Sequence, residues 1–412
     1  MPPQDAAWLG MERPTNLMVV TAVLVLDGAP DDEALTRVLS ERLVDRHPPF
    51  RRRPVRPHRW SPRLRWRQDG AFDLGAHLTR LPVQAPVESV LDAVVADLLG
   101  TPLDLNRPPW QLHLVTDRDG GAALVLRVHH CVGDGSALVQ VLLGLTDPVD
   151  AAVPGHPAAT PGRRRRPSPV RLVRTAVGVV ATLVRVPLTE PEPRHHLRGR
   201  LGTRKVVARG GDVPLVTVRR RPGTVNDVVL DAVTTGLRCQ LLAGGDSPVD
   251  LRVLVPVDLR PRGAPVGPWL GNRFGLVFVT LPVGEPDPVR RATAVRDGAW
   301  RDRVRTEAVA TFAGLTVLGT LPPAAQALAV RLLGARASAV VTNVRGPAAP
   351  VRLAGRRVDR ITFFVPQTGA VGVGISVLSY AGSVTVGVCA DAGLLPDPAS
   401  LVRWIEDDLA GR

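Results

Sequence analysis

The sequence is poor in cysteine, tyrosine and lysine, and each shortage limits the possible functions. Its three cysteines, Cys131, Cys239 and Cys389, are widely spaced and form no CxxC pair, which argues against a disulfide framework and fits a reducing compartment. One tyrosine and 4% aromatic residues provide no stacking platform for single-stranded nucleic acid. Lys205 is the only lysine, so arginine supplies almost all of the positive charge.

Long apolar segments are scarce as well. No window reaches about 18 uncharged apolar residues, so the sequence predicts no membrane-spanning helix. Residues 1–16 carry charges and lack a long apolar core, so no signal peptide is predicted and a cytoplasmic location is expected. The formal net charge of +14 is typical of a surface that attracts acidic membranes or the phosphate groups of a ligand.

The chain is long enough for two domains. Its 412 residues exceed the usual size of one core. Residues 147–162 are rich in Pro, Ala, Thr and Gly, and residues 163–166 are four arginines, a composition typical of a linker. We therefore expect an N-terminal lobe at residues 1–146, a linker at 147–205 and a C-terminal lobe at 206–412.

An apolar segment interrupts the linker. Residues 168–188 combine valine and leucine with flanking arginines, and the longest uncharged run is too short to cross a membrane. A basic amphipathic helix lying on a membrane surface is one interpretation. Docking of the segment onto the protein's own surface is the other, and both are left open here.

One stretch, residues 124–145, combines several functional residue types. An apolar strand reaches His129 and His130, a Gly-rich turn carries Asp134, and a helix follows for which we predict Ser136 as N-cap. Adjacent strand residues point to opposite faces, so only one histidine faces a given cavity. This excludes one metal ion bound by both histidines and a dyad of Cys131 with His130. A single histidine suits general base catalysis.

A buried histidine pair satisfied by the backbone is the alternative interpretation, but the Asp-Gly that follows favours a functional one. The sequence HHCVGDG at residues 129–135 fits the HHxxxDG signature of the chloramphenicol-acetyltransferase-like superfamily of acyltransferases and condensation domains. Within that superfamily the chain resembles the bacterial wax ester synthase/diacylglycerol acyltransferase (WS/DGAT) family.

The resemblance extends almost from end to end. Pro108-Pro109-Trp110 is similar to the family's Pro-Leu-Trp, and Asn226-Asp227 to an Asn-Asp that precedes a helix. Residues 251–260, Gly271-Asn272 and residues 342–347 also resemble family segments. The chain departs from the family's residues at three positions, namely Pro109, Asp231 and Arg345.

The resemblance implies both a fold and an activity. The expected fold is α/β with mixed sheets, arranged as two chloramphenicol-acetyltransferase-like lobes with an active-site tunnel between them. The expected activity is transfer of a fatty acyl group from acyl-CoA, as co-substrate and without a further cofactor, to diacylglycerol or a long-chain alcohol. A peripheral association with the inner membrane or lipid inclusions is expected. Binding of a metal ion or of nucleic acid is not expected.

The resemblance also assigns roles around the motif. His130 is the expected general base, and His129 supports it. Asp134 and Gly135 are expected to shape the turn, and Arg260 is the expected partner of Asp134. If that pair is buried, removing either residue leaves an uncompensated charge.

Further residues are expected to line or support the channel: Glu12, Trp110, Gly133, Asn226, Asp227 and Asn343. Glu12 occupies an acidic position of the family, and Trp110 is expected to pack under the catalytic strand. Gly133 leaves space beside the base, so a bulkier residue there would obstruct the acceptor. Asn226 and Asp227 are expected to cap the helix of residues 228–242, and Asn226 and Asn343 are candidate donors to a developing oxyanion.

Two other functions agree with the same motif. One is another HHxxxDG acyltransferase or a condensation domain that uses a carrier-bound acyl group. The other is a lipid-binding member without catalysis. Two structural expectations complete the interpretation: residues 5–16 form a loop, and the second histidine pair, His195-His196, is solvated among arginines.

Overall fold

The computed structural model describes residues 1–57, 63–149, 190, 192–261, 264–298, 301, 303–367 and 369–412. The amphipathic segment predicted at residues 168–188 and most of the predicted linker lie outside these residues.

The described residues form strands whose bounds follow the apolar segments of the sequence. In chain order they are β1 (Val19–Leu26), β2 (Arg52–Val55), β3 (Arg65–Gln68), β4 (Leu78–Pro82), β5 (Trp110–Thr116), β6 (Ala122–His129), β7 (Thr146–Pro148), β8 (Lys205–Arg209), β9 (Val213–Pro214), β10 (Leu251–Asp258), β11 (Phe274–Leu281), β12 (Ala339–Arg345), β13 (Val351–Leu353), β14 (Arg356–Phe364), β15 (Val373–Tyr380) and β16 (Ser383–Asp391).

The helices of the described residues occur singly or in succession between these strands and at both ends of the chain. They are α1 (Pro3–Met11), α2 (Asp32–Val38, continued by a π-helical turn), α3 (Val87–Gly100), α4 (Gly135–Leu145), α5 (Leu215–Arg220), α6 (Val225–Ala243), α7 (Pro288–Arg296), α8 (Val304–Leu318), α9 (Pro323–Gly334) and α10 (Pro398–Ala410). Helix α8 ends at Leu318, and α9 begins at Pro323.

Two mixed sheets organise the molecule, as expected for an α/β fold of two related lobes. The first has the order β4-β5-β6-β1-β14-β13-β7, and only its β4–β5 pairing is parallel. The second has the order β11-β10-β12-β15-β16-β8, with β9 also paired to β16 and β12 parallel to both neighbours. Each sheet has its own apolar core.

The chain crosses from the second sheet back into the first. Strands β13 and β14 come from the region predicted as the C-terminal lobe, residues 206–412, yet β14 pairs along β1 from Thr21↔Phe364 to Leu26↔Val358. Strand β1 is therefore held between β6 and β14 in the middle of the first sheet. The two sheets do not divide the chain at residue 206.

The predicted loop at residues 5–16 is wrong for residues 5–11, because α1 begins at Pro3 and ends at Met11, and it is confirmed for residues 12–16. Proline at the first helical position is favourable there. Close contacts then dock the helix: Gly319, at the end of α8, leaves room for the Pro3 carbonyl, and a Cβ at Gly10 would collide with Gln326 of α9. The buried face of α1 carries Asp5, Trp8 and Met11.

The predicted capping role in α6 is confirmed for Asp227 and wrong for Asn226. Thr224 is the N-cap; its hydroxyl accepts a hydrogen bond from Asp227 N, and Asp227 Oδ2 accepts one from Thr224 N at 2.8 Å. This reciprocal capping box satisfies two backbone donors. Asn226 lies inside the first turn, so α6 starts before the predicted residue 228.

The histidines at 195 and 196 are not solvated as predicted. His195 is buried, with Nε2 3.0 Å from Ser338 Oγ, and the Ser338 hydroxyl donates in turn to Glu192 Oε2 at 2.9 Å. His196 Nδ1 lies 2.6 Å from Asp246 Oδ2. The neighbouring arginines suggested a solvated segment, but Ser338 and Asp246, both distant in sequence, hold this segment against the protein.

Candidate active site

The HHxxxDG turn joins β6 to α4 at the contact between the two sheets. Asp134 is the N-cap of α4, with Oδ1 accepting from Ala137 N at 2.9 Å, so the predicted cap at Ser136 is wrong by two residues. Gly271 N donates to Val132 O at 3.0 Å, and Gly133 forms an isolated bridge with Gly271. The turn is thus bound directly to the loop before β11.

His130 is fixed by one hydrogen bond from its ring. Its Nδ1 lies 2.9 Å from Asn272 Oδ1, while Asn272 Nδ2 donates to Asp5 Oδ1 at 2.9 Å and to His130 O at 2.8 Å. Because both of these partners are acceptors, the Asn272 amide can present only its oxygen to the ring. His130 therefore carries its proton on Nδ1, and Nε2 keeps a lone pair.

Aromatic groups enclose the His130 ring. The Trp8 indole stacks on it with the ring centroids 4.0 Å apart and the planes 12° from parallel, and Phe274 lies 5.5 Å away. Burial of the imidazole lowers the pKa of His130 to about 4, because the charged form loses hydration. The imidazole is therefore neutral at physiological pH, as a proton acceptor must be.

His129 points to the opposite side of the strand. Its Nδ1 accepts a hydrogen bond from Cys131 N at 3.0 Å, and its Nε2 lies 3.0 Å from Glu12 Oε2. The same carboxylate oxygen accepts from Met18 N at 3.1 Å. Burial alone would raise the pKa of Glu12, but the His129 and Met18 contacts outweigh it and lower that pKa. Glu12 and His129 thus brace the backbone from which His130 projects.

Asp134 has a second partner besides the helix. Arg260 Nη1 lies 2.7 Å from Asp134 Oδ2, the partner that the sequence predicts, and both side chains are buried. Arg273 N donates to the same oxygen at 2.8 Å, and Arg260 Nη2 donates to Gly271 O at 2.8 Å. Burial raises the pKa of Asp134, and Arg260 and the hydrogen bonds oppose that rise.

A cavity of about 160 Å³ opens beside His130. Its walls come from both sheets, with Val20 and Phe363 from the first and Leu254, Phe274 and Asn343 from the second. A second, wholly apolar cavity of about 40 Å³ shares Val20 and Phe363 with it and lies between the first sheet and α4, where Leu138 and Leu142 line it. The imidazole therefore lines a cavity that adjoins a smaller, apolar one.

A larger basic cavity of about 1,060 Å³ lies on the other side of Asn272. Arginines and indoles line it, and the guanidinium group of Arg52 lies over the Trp269 ring at 4.9 Å from the centroid. The other arginines and tryptophans that line this cavity are Arg65, Trp66, Arg260 and Arg273.

Several predicted site residues lie away from the His130 cavity. Trp110 is buried under the sheet, where its Nε1 donates to Phe50 O at 2.9 Å. Asn226 and Asp227 begin α6, and Asp227 pairs with Arg301. Gly133 faces Leu270 rather than the cavity, since a Cβ built there would lie 3.3 Å from Leu270 Cβ. The lining of the cavity includes none of these four residues.

Sequence reasoning missed three residues that contact His130 or its partner: Asp5, Trp8 and Asn272. Asp5 and Trp8 are three residues apart, a spacing that places both on one face of a helix. That spacing was the available signal, but the charges and the proline of the segment led to a loop prediction. Asn272 was noted only as part of a Gly-Asn pair.

Other chemistry has little support in the part of the chain that the structure describes. It contains no group of three or more His, Cys, Asp or Glu placed to bind a metal ion. Burial raises the pKa of the Cys131 thiol, which opposes its ionisation to a nucleophile. Among the described helices, none is both long and apolar enough to cross a lipid bilayer.

Comparisons with known proteins cover both halves of the chain. The wax ester synthase/diacylglycerol acyltransferase catalytic domain matches residues 1–229, and the WS/DGAT C-terminal domain matches residues 270–411. A protein of Mycobacterium tuberculosis (strain ATCC 25618 / H37Rv), named "Probable diacyglycerol O-acyltransferase tgs1", is 29% identical over 423 residues, which span 95% of this chain and 90% of that one.

Solved structures share the fold. The wax ester synthase/diacylglycerol acyltransferase from Marinobacter aquaeolei VT8 superposes with a TM-score of 0.70 at 22% identity, covering 100% of this chain and 98% of that one. The starter condensation domain of rhizomide synthetase, in complex with C8-CoA and Leu-SNAC, gives 0.61 at 13% identity, covering 99% and 93%. The catalytic-domain match spans more than half of the sequence, and the chain accordingly belongs to the wax ester synthase/diacylglycerol acyltransferase family of acyltransferases.

Proposed function

We propose that this enzyme transfers a fatty acyl group from acyl-CoA to diacylglycerol or a long-chain alcohol, with His130 as general base. One observation carries the proposal: an imidazole whose Nδ1 is bound by Asn272 lines a cavity that adjoins a second, apolar one, which leaves Nε2 for a substrate. Adjoining cavities with apolar walls suit a hydrocarbon chain.

The proposed reaction has one base and no acyl-enzyme. Nε2 of His130 takes the hydroxyl proton as the acceptor oxygen bonds to the thioester carbonyl carbon. The resulting tetrahedral intermediate then breaks its C–S bond, and the coenzyme A thiolate leaves and takes the proton back from the imidazolium. Base catalysis of this type typically contributes about 10²- to 10⁴-fold.

Charge on the intermediate needs its own stabilisation. Asn343 lines the cavity beside His130, so we propose its amide as donor to the oxyanion. Loss of such a donor typically costs about 2.7–4 kcal/mol of transition-state stabilisation. Asn226, the other candidate, begins α6 away from the cavity, and we do not assign it this role.

The phosphate groups of acyl-CoA, the acyl donor, are opposite in charge to the basic cavity that lies beyond Asn272. We propose that Arg52, Arg65 and Arg273 attract the phosphates of coenzyme A, because guanidinium groups bind phosphate oxygens in bidentate geometry. A variant with alanine at Arg52 and Arg65 is then expected to have a higher KM for acyl-CoA and an unchanged KM for the corresponding acyl-pantetheine. Equal KM changes for both donors would contradict this placement.

The acceptor and the location are part of the same proposal. Diacylglycerol is the acceptor we favour, which gives triacylglycerol, and a peripheral contact with the inner membrane or lipid inclusions would supply it. In a direct test, the purified protein is given hexadecanoyl-CoA with diacylglycerol, with hexadecanol or with neither, and thiol release and lipid products are measured. Thiol release matched by triacylglycerol is the expected result.

Substitution of the base provides the decisive comparison. His130→Ala is expected to lower turnover at least about 100-fold and to leave the circular dichroism spectrum unchanged, whereas His47→Ala serves as the matched control with wild-type turnover. Activity that survives His130→Ala would contradict the mechanism. Turnover only with an acyl group on a carrier protein would instead indicate a condensation-type enzyme, and lipid binding without turnover would indicate a non-catalytic member.

A further inference from the structure

The carboxylate of Asp5 has no part in the proposed reaction, yet it is linked to the His130 ring through a single residue, Asn272. Asp5, on the buried face of α1, is 2% exposed. Its Oδ1 accepts hydrogen bonds from Asn272 N at 2.8 Å and from Asn272 Nδ2 at 2.9 Å. Burying a carboxylate carries a desolvation cost, and the packing of α1 alone does not require a charged group at this position.

The loop before β11 adopts an unusual backbone to bring Asn272 to this position. Leu270 has φ of 54° and Gly271 has φ of 78°, and a left-handed conformation is unfavourable for leucine. At Gly271 a Cβ would also lie 3.3 Å from Asp5 Oδ2. The consecutive left-handed residues direct both the backbone N–H and the side-chain amide of Asn272 towards Asp5.

The orientation of this amide decides which nitrogen of His130 is free. As found, Asn272 Oδ1 faces His130 Nδ1, which must carry the ring proton. In the flipped orientation Nδ2 would face Nδ1, so the proton would move to Nε2 and the base would have no lone pair at the cavity. The flip would also place Oδ1 against the Asp5 carboxylate, two acceptors in contact, which is repulsive.

We propose that Asp5 is a positioning residue that acts through Asn272 to keep His130 in the tautomer with a free Nε2. Asp5 contacts the amide and the amide contacts the ring, so Asp5 itself touches no reacting atom. The inference rests on the proposed function, in which His130 is the base. It adds a residue of the N-terminal helix to the machinery around the HHxxxDG turn.

The test compares variants that differ in the acceptor oxygen. Asp5→Ala removes the acceptor and is expected to lower kcat about 10- to 100-fold, part of the contribution of a general base, with KM for acyl-CoA within about twofold of wild type. Asp5→Asn retains an oxygen that can accept from Asn272 and is expected to recover kcat to within about threefold of wild type.

A spectroscopic readout separates positioning from stability. In the protein without substrate, the ¹⁵N shifts of His130, assigned by loss of the signal in His130→Ala, are expected to report the Nδ1–H tautomer in wild type and in Asp5→Asn. Asp5→Ala is expected to show a mixture of tautomers. The control Asp31→Ala, which removes the N-cap of α2, is expected to lower thermal stability without changing kcat or the tautomer.

Two results for Asp5→Ala would overturn the inference. One is an Asp5→Ala enzyme with the wild-type kcat, and the other is an unchanged His130 tautomer in that variant. The spectroscopic arm needs no turnover, so it stays informative if His130→Ala retains activity and the proposed function itself fails. A fall in kcat that Asp5→Asn shares in full would likewise contradict a role for the acceptor oxygen.

Discussion

Arg260 and Asp134 form a buried ion pair across the junction of the two sheets, with 2.7 Å between Nη1 and Oδ2. Asp134 also caps α4, and Arg260 also binds the Gly271 carbonyl. The pair therefore fixes the turn after His130 to the loop that carries Asn272. The two residues of the ion pair are 126 positions apart in the sequence.

Breaking this ion pair is expected to cost stability. Arg260→Ala leaves the Asp134 carboxylate buried without its cation, so the free energy of unfolding should fall by about 3–5 kcal/mol, measured by urea denaturation. Arg357→Ala is the matched control, because its partnership with Asp359 is exposed and such pairs contribute about 0–1 kcal/mol. Equal losses of unfolding free energy in Arg260→Ala and Arg357→Ala would show that burial of the Asp134 pair does not increase the cost of breaking it.

The pH dependence of turnover follows from the burial of His130. Since the pKa of this proposed base is about 4, the acidic limb of kcat/KM is expected near pH 4 and not near 6.5. Trp8→Ala exposes one face of the ring, which restores hydration of the imidazolium and moves the limb upward, whereas Trp8→Phe keeps a ring in contact and moves it less. A wild-type limb near 6.5 would contradict this account.

A second titrating group contacts the same network. Burial raises the pKa of Asp5 to about 6, so this carboxylate gains a proton as the pH falls through that value. Protonation on Oδ2 leaves Oδ1 as acceptor for both Asn272 donors, so only a small step in kcat/KM is expected near pH 6. That step should be absent in Asp5→Asn, which has no group to titrate there.

Glu12 is expected to matter through its acceptor oxygen. Glu12→Ala removes the partner of Met18 N–H and of His129, and an unsatisfied donor in this partly buried position costs about 1–3 kcal/mol. Glu12→Gln keeps an oxygen and should lose less, both in urea stability and in kcat. Glu33→Ala, an exposed residue of α2, is the control, and equal effects of the two Glu12 variants would refute the argument.

The apolar cavity beside α4 is expected to set the acyl chain length. Ala22 lines this cavity, and Ala22→Phe would fill part of it. The ratio of kcat/KM for hexadecanoyl-CoA to that for octanoyl-CoA is then expected to fall at least about 10-fold, since each methylene without room costs about 1–3 kcal/mol. Val317→Phe, at an exposed position, is the control and should leave this ratio unchanged. An unchanged ratio in Ala22→Phe would indicate that the acyl chain binds elsewhere.

The sequence predicts the fold well where local patterns decide it. The apolar strand before the histidine pair and the helix after the turn are confirmed as β6 and α4, and the helix predicted at residues 228–242 is confirmed within α6. The short strand β13 was missed, because a three-residue edge strand has too little pattern to distinguish it from a loop. The assignment of the family and of its two-sheet fold is confirmed as well.

The site was predictable only in part, for a physical reason. The motif identified His130, and the family identified Arg260 as the partner of Asp134. No local pattern could reveal that Trp8 stacks on His130 or that Asn272 bridges His130 and Asp5, since these contacts join residues 122 to 267 positions apart. His195 illustrates the same limit, because its partner Ser338 is 143 positions away in the sequence.

The return of the chain into the first sheet has a consequence for its assembly. Without β14, strand β1 would present an open edge of unpaired N–H and C=O groups, a template for association with other chains. A fragment that ends at residue 229 is therefore expected to aggregate when it is expressed alone, although the match to the family's catalytic domain ends there. When the fragment is mixed with a second fragment that carries the remaining residues, β1 would again pair with β14. Cleavage of the chain between the two parts is therefore expected to be tolerated, whereas deletion of the second part is not.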